Sequence, residues 1–169
     1  MKILVIEDNK EELTKAKEII EAMGHEVTIV DVEEWTEYDH IGREVLGAIS
    51  HDDRDWGGKI DGIITDLNFK MLGTNGRSGI TPSGLLVALH AASFGKPVVI
   101  CTRIEDGESH HGKATSWIYD GYFLQLQLLA QNCGEPEMFS CCPGWVENKD
   151  WKKACEELEK KFAAQSSPS

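Results

Sequence analysis

MKILVIEDNKEEL, residues 1–13, is the stretch from which the fold can be read. Ile3-Leu4-Val5-Ile6 has no polar alternation, and a continuous apolar run of this length suits a strand covered on both faces. It stops on two adjacent acids, Glu7 and Asp8. Asn9 or Asp8 then caps a helix over 10–23, whose apolar positions Leu13, Ala16, Ile20 and Met23 follow helical spacing, and Gly24 stops it. A strand that turns directly into a helix begins an alternation that the rest of the chain repeats.

Residues 25–30 make a second strand and 34–50 a poorer amphipathic helix; 51–59 is a polar loop. Gly62-Ile63-Ile64-Thr65 is a third strand, again ending on an acid, Asp66. The stretch 70–81, rich in Gly, Asn and Ser, reads as a long loop, after which Pro82 opens a helix with Leu85, Leu86, Leu89 and Ala92 inward. Gly95-Lys96-Pro97 turns into a fourth strand, 98–101, ending at Thr102. A polar loop over 103–112 precedes a helix over 113–131, a short fifth strand over 137–142 and a last helix over about 148–164 with Trp151, Cys155, Leu158 and Phe162 on one face. Strands alternating with helices give an α/β domain with a parallel sheet, one domain over 1–164, and 165–169 as a disordered tail.

Composition narrows the class. The chain has 169 residues, 41% apolar and 27% charged, as an ordinary globular domain does. A net charge of −12 with no basic stripe argues against a nucleic-acid partner. No run of 18 apolar residues predicts a membrane span, and the opening strand leaves no room for a signal peptide; a cytoplasmic location is expected. The five cysteines form no C-x-x-C pair, and His110, His111, Cys133, Cys141 and Cys142 match no zinc spacing.

The strand ends carry the chemistry. In a doubly wound parallel sheet, ligands bind outside the carboxyl ends of the strands, where strand order reverses. Glu7 and Asp8, Asp66 and Thr102 are the polar residues at those ends. If their strands are neighbours, three carboxylates and a hydroxyl meet in one crevice. Three such carboxylates repel unless a cation offsets them, and a hard ion such as Mg²⁺, held by one or two carboxylates with retained waters, suits the donor set. An Asp beside such an ion is also a nucleophile toward phosphoryl groups.

The motifs Ile-Leu-Val-Ile-Glu7-Asp8-Asn, Ile-Ile-Thr-Asp66-Leu-Asn-Phe-Lys-Met71 and Pro97-Val-Val-Ile-Cys-Thr102 resemble the receiver domain of bacterial two-component response regulators, in element order over nearly the whole chain. The resemblance implies a flavodoxin-like five-stranded sheet, order 2-1-3-4-5, with helices on both faces. It implies Asp66 as phosphoacceptor and Asp8 as a direct Mg²⁺ ligand. Glu7 would act through water, the Asn68 backbone carbonyl would be a further ligand, Thr102 the switch hydroxyl and Phe139 the switch aromatic. It also implies a sensor histidine kinase or phosphotransfer protein as donor, an output protein as partner, and no activity beyond self-phosphorylation; a homodimer stays open.

The chain departs from that family at one charged position. The family ends its fifth strand with Lys-Pro, whereas Phe139-Ser-Cys-Cys142-Pro143 puts Cys142 at the place of the lysine. A thiol supplies no fixed positive charge. Lys149, beyond a Gly and inside a polar turn, is the less convincing substitute, and Lys70, Arg77, Arg103 or Lys113 are others. The leading expectation is a stand-alone phosphorylatable receiver. A pseudo-receiver that binds partners without phosphotransfer is the alternative that Cys142 motivates. A Mg²⁺-dependent phosphohydrolase or Toprim-like enzyme is the third, disfavoured by Asn68 and by Glu7-Asp8-Asn9, which is not Asp-x-Asp.

Overall fold

The computed structural model describes residues 1–32, 45, 49, 59–67, 69–72, 78–81, 83–102, 128, 131–132 and 149–166. Strands β1 (Lys2–Glu7), β2 (Glu26–Asp31) and β3 (Gly62–Thr65) come first, with helix α1 (Lys10–Ala22) between β1 and β2. A ribbon of β4 (Phe69–Leu72) and β5 (Ser78–Thr81) follows, then α2 (Ser83–Ser93), β6 (Val98–Ile100) and α3 (Trp151–Ser166). The main sheet has four strands in the order β2-β1-β3-β6, all neighbours parallel. This is the expected order for the first four strands of the alternation. The expected fifth strand (137–142) lies outside the described residues, as do the helix over 34–50, apart from Val45 and Ile49, and most of that over 113–131.

β1, β3 and β6 bury both faces, which explains the absence of polar alternation in them. Leu4, Ile6, Ile63, Val98 and Ile100 pack with Val87, Ala88 and Ala91 of α2. Ile3, Val5, Ile64 and Val99 pack on the other side with Leu13, Ala16 and Ile20 of α1 and with Trp151, Ala154, Cys155 and Leu158 of α3. Helices therefore cover both faces. Each fully buried aliphatic side chain contributes about 1.5–3 kcal/mol from burial.

The helix ends show how local chemistry sets the boundaries. Asn9 is the N-cap of α1: its Oδ1 accepts the amides of Glu11 at 2.9 Å and Glu12 at 3.2 Å. Gly24, at φ 88°, ends the helix in a conformation that other residues rarely adopt. At the other end of the chain α3 starts at Trp151 and not near 148. Asp150 caps it, with Oδ1 accepting the Lys153 amide at 2.9 Å and its carbonyl accepting the Ala154 amide at 2.9 Å. Lys149 is thereby left outside the helix. The same helix continues to Ser166, two residues past the expected end.

The stretch 70–81 is not simply a loop. β4 and β5 pair antiparallel, Phe69 with Thr81 and Leu72 with Ser78. Their sequences flank Gly73-Thr74-Asn75-Gly76-Arg77, and Asn-Gly between strand-forming residues is a strong hairpin signal. Phe69 is fully buried in the α2-side core, so the ribbon is rooted beside the end of β3. No helix among the described residues is long and apolar enough to cross a membrane.

Replacing Asn9 by Ala removes the acceptor for two amides of α1. The expected loss is about 1 kcal/mol of stability, read from the midpoint of denaturant unfolding against the parent chain.

Candidate functional site

The parallel register places the strand-end acids side by side. β1 and β3 pair Ile6 with Thr65, so the next residue of each strand, Glu7 and Asp66, leaves the sheet at the same edge. The Asp66 amide donates to the Ile6 carbonyl at 2.9 Å, which carries the pairing one step past the strand. On the far side the Cys101 amide donates to the Thr65 carbonyl at 2.9 Å, and Thr102 follows, buried at that edge.

Glu7, Asp8 and Asp66 each offer an oxygen within 4.8 Å of the others. Glu7 and Asp66 are both 1% exposed, while Asp8 is half-buried. The local backbone fixes two of the carboxylates. Glu7 Oε1 accepts the amides of Asp8 and Asn9, both at 3.2 Å. Asp66 Oδ1 accepts the amide of Leu67 at 2.7 Å. That leaves Glu7 Oε2 and Asp66 Oδ2 facing the same cation, the ammonium of Lys149.

Lys149 Nζ donates to Glu7 Oε2 and lies 2.9 Å from Asp66 Oδ2, with its side chain 4% exposed. Helices of a parallel α/β sheet begin where the strands end. The Asp150 cap stops α3 just short of Lys149, and this delivers the side chain into the crevice. The expectation that Lys149 sits too far into a polar turn is therefore corrected, as is the premise that the site lacks a lysine. Cys142, assigned the place of that lysine, lies outside the described residues, and so do Phe139, Asn68 and Arg103. The signal in the sequence was Lys-Asp-Trp at 149–151, a lysine directly before a helix cap.

The electrostatics follow from crowding. Burial, then the neighbouring charge of Asp66, pushes the Glu7 carboxyl from its ordinary 4.5 up to about 8, with Lys149 opposing. For Lys149, burial works against the charged form, but Asp66 and Glu7 outweigh it and hold the ammonium above its ordinary range. Three acids and one buried ammonium leave the crevice short of positive charge. Glu7, Asp8 and Asp66 could together hold a metal ion, and an all-carboxylate set suits a hard cation such as Mg²⁺. Glu7 already accepts from two amides and a lysine, while Asp8 is half-buried.

Gly84 sets how closely α2 approaches this edge. A Cβ on Gly84 would fall 1.6 Å from the Asp66 carbonyl oxygen and 2.7 Å from its carbon. The Gly84 amide donates to the Leu67 carbonyl at 3.1 Å. Only a residue without a side chain lets α2 lean on the backbone that presents Asp66.

Two outcomes are expected. Gly84→Ala, which forces backbone away from backbone, costs about 1–3 kcal/mol by denaturant unfolding and weakens Mg²⁺ binding measured by calorimetric titration. For pH, a folded-state Glu7 pKa above the unfolded one means the native state holds the proton more tightly. Its contribution is present in full below about 4.5 and is lost as pH rises through about 8. Glu12 is shifted the other way, because hydrogen bonds from Lys15 and Trp151 outweigh burial, so it acts only in acid, below the window tested. Without divalent ions the unfolding midpoint is expected to fall between pH 6 and pH 9. Glu7→Gln should flatten that fall, and Mg²⁺ should reduce it. Comparison with protein-family models, with curated proteins and with solved structures found no match to this chain.

Proposed function

We propose that this chain is a receiver-type phosphoacceptor domain, with Asp66 as the residue that takes the phosphoryl group. The observation that carries the reading is the ammonium of Lys149 bridging Glu7 and Asp66 at the carboxyl edge of a parallel sheet. An acid pair, an acceptor Asp and a buried lysine are the charged parts that accepting a phosphoryl group on a carboxylate needs. The order β2-β1-β3-β6 supports it, since it puts β1 and β3 next to each other at the point where strand order reverses. Lys149 offers an ammonium that Cys142, the motive for the pseudo-receiver alternative, cannot supply.

The chemistry divides among the residues as follows. Asp66 Oδ1 is tied to the Leu67 amide, so Oδ2 is the oxygen that attacks phosphorus, and the donor's leaving group departs on the opposite side. The new P–O bond makes an acyl phosphate and adds negative charge beside Glu7 and Asp8. Lys149, already 2.9 Å from Oδ2, donates to the phosphoryl oxygens and offsets that charge. Asp8 and Asp66 would hold Mg²⁺, with Glu7 acting through water and the Asn68 carbonyl as the further ligand that the resemblance implies; the ion would help neutralise the two anions that must meet. Thr102, buried at the end of β6, is the hydroxyl that turns to the phosphoryl group and biases the domain between two packings. The donor in this reading is a histidine kinase or a phosphotransfer protein, and an output protein reads the change.

The test is incubation of the full chain with Mg²⁺ and acetyl phosphate, followed by intact-mass spectrometry. One phosphoryl increment is expected, absent in Asp66→Asn and absent with EDTA. Lys149→Met should slow its appearance by roughly a hundredfold. Steady release of inorganic phosphate with no accumulated adduct would point instead to a phosphohydrolase. No adduct and no release under saturating donor would overturn the proposal.

A further inference from the structure

Glu12 is a buried acid that takes no part in the site described above. Its side chain is 4% exposed, and it lies in the first turn of α1, beyond the Asn9 cap. Its Oε1 accepts from Lys15 Nζ at 2.7 Å and its Oε2 from the indole N–H of Trp151 at 2.9 Å. Trp151 is 1% exposed, the largest fully buried side chain among the described residues, and it stands two residues after Lys149. The Lys149 ammonium lies over its ring, 5.6 Å from the centroid.

These contacts form a chain from α1 to the acid crevice. Lys149 donates to Glu7 and lies within ion-pair distance of Asp66, while its ammonium as a whole sits over the negative face of the Trp151 ring. A cation within about 6 Å of a tryptophan ring is attracted to it, most strongly when both are desolvated. A lysine side chain is otherwise a flexible stem that does not define where its charge sits. The ring can do so only if it is itself fixed, and the Glu12 carboxylate fixes its edge. A charged acceptor makes that hydrogen bond about twice as strong as a neutral one.

We propose that Trp151 is the positioning residue of the Lys149 ammonium and that Glu12 acts through Trp151 to orient it. The pair sets where the buried positive charge rests between Glu7 and Asp66, and how readily it leaves one acid for another anion. The placement stands on the contacts alone. Only its consequence, that the same pair governs how Lys149 meets a phosphoryl group, rests on the receiver reading.

The test reads the lysine directly. In the full chain, without metal and at pH 6, a buried paired ammonium gives a slowly exchanging ¹⁵N–¹H₃ signal, identified by its loss in Lys149→Met. In Trp151→Leu, which removes ring and donor, that signal is expected to shift, with its protons exchanging at least about threefold faster. Trp151→Phe keeps a ring but not the indole N–H and should fall between Trp151→Leu and the parent. Glu12→Gln should change the signal in the same direction by less. Denaturant midpoints measured in parallel separate this from a packing role. Lowered midpoints with an unchanged Lys149 signal would overturn the proposal. If Trp151→Leu does not fold, Trp151→Phe and Glu12→Gln decide by the same criterion. Failure of acetyl phosphate to modify Asp66 would remove the receiver reading and leave this result standing. An unmoved lysine signal would remove the positioning proposal and leave Asp66 chemistry standing.

Discussion

The structure turns on the mutual repulsion of three carboxylates brought to one sheet edge. Glu7, Asp8 and Asp66 offer oxygens within 4.8 Å of each other, and two of these acids are withdrawn almost wholly from water. Burial, and then the neighbouring charge of Asp66, raises the affinity of Glu7 for its proton. The native state tolerates the arrangement because Lys149 places one ammonium against Glu7 and Asp66 together. Removing either side of a buried pair leaves an uncompensated charge, which is far more costly than the pair is beneficial. The acids and the lysine therefore have to be understood together.

What surrounds the cluster serves to hold it at this geometry. Backbone amides of Asp8, Asn9 and Leu67 tie one oxygen each of Glu7 and Asp66. The absent side chain of Gly84 lets α2 close against the Asp66 carbonyl. The ribbon of β4 and β5 departs from the main chain just after Asp66 and returns just before α2, so an element not needed for the sheet sits at the functional edge. Loops at this edge are where proteins of such architecture differ in function. The scaffold thus holds three acids and one ammonium in a single crevice.

Much of this was legible in the residues, and the failures have physical causes. The apolar runs at 3–6, 62–65 and 98–101 are strands because a sheet covered on both faces needs no polar alternation. Glu7, Asp8 and Asp66 stood out because acids rarely end apolar strands without a use. The ribbon is hard to read at 70–81 because Gly, Asn and Ser at 73–78 outweigh the short strands on either side, although Asn75-Gly76 carries the signal. Lys149 reads as the less convincing lysine because it lies in a polar turn beyond Gly144, and a polar turn gives no local sign that its lysine will be buried. The start assigned to α3 compounded that, since a helix from 148 would have absorbed the lysine that the Asp150 cap leaves outside.

The sequence by itself determined the alternation of strands and helices, the acids at the strand ends and the cap residues, because each depends on neighbours a few positions away. Only the tertiary structure decided that β1 lies beside β3, which puts Glu7 against Asp66. Only the packing of α3 on α1 brought Lys149 into the crevice, with Trp151 beneath it and Glu12 behind. Residues 7, 66 and 149 are joined by Coulomb attraction across a fold, and no local pattern records which distant charge will be the one to arrive.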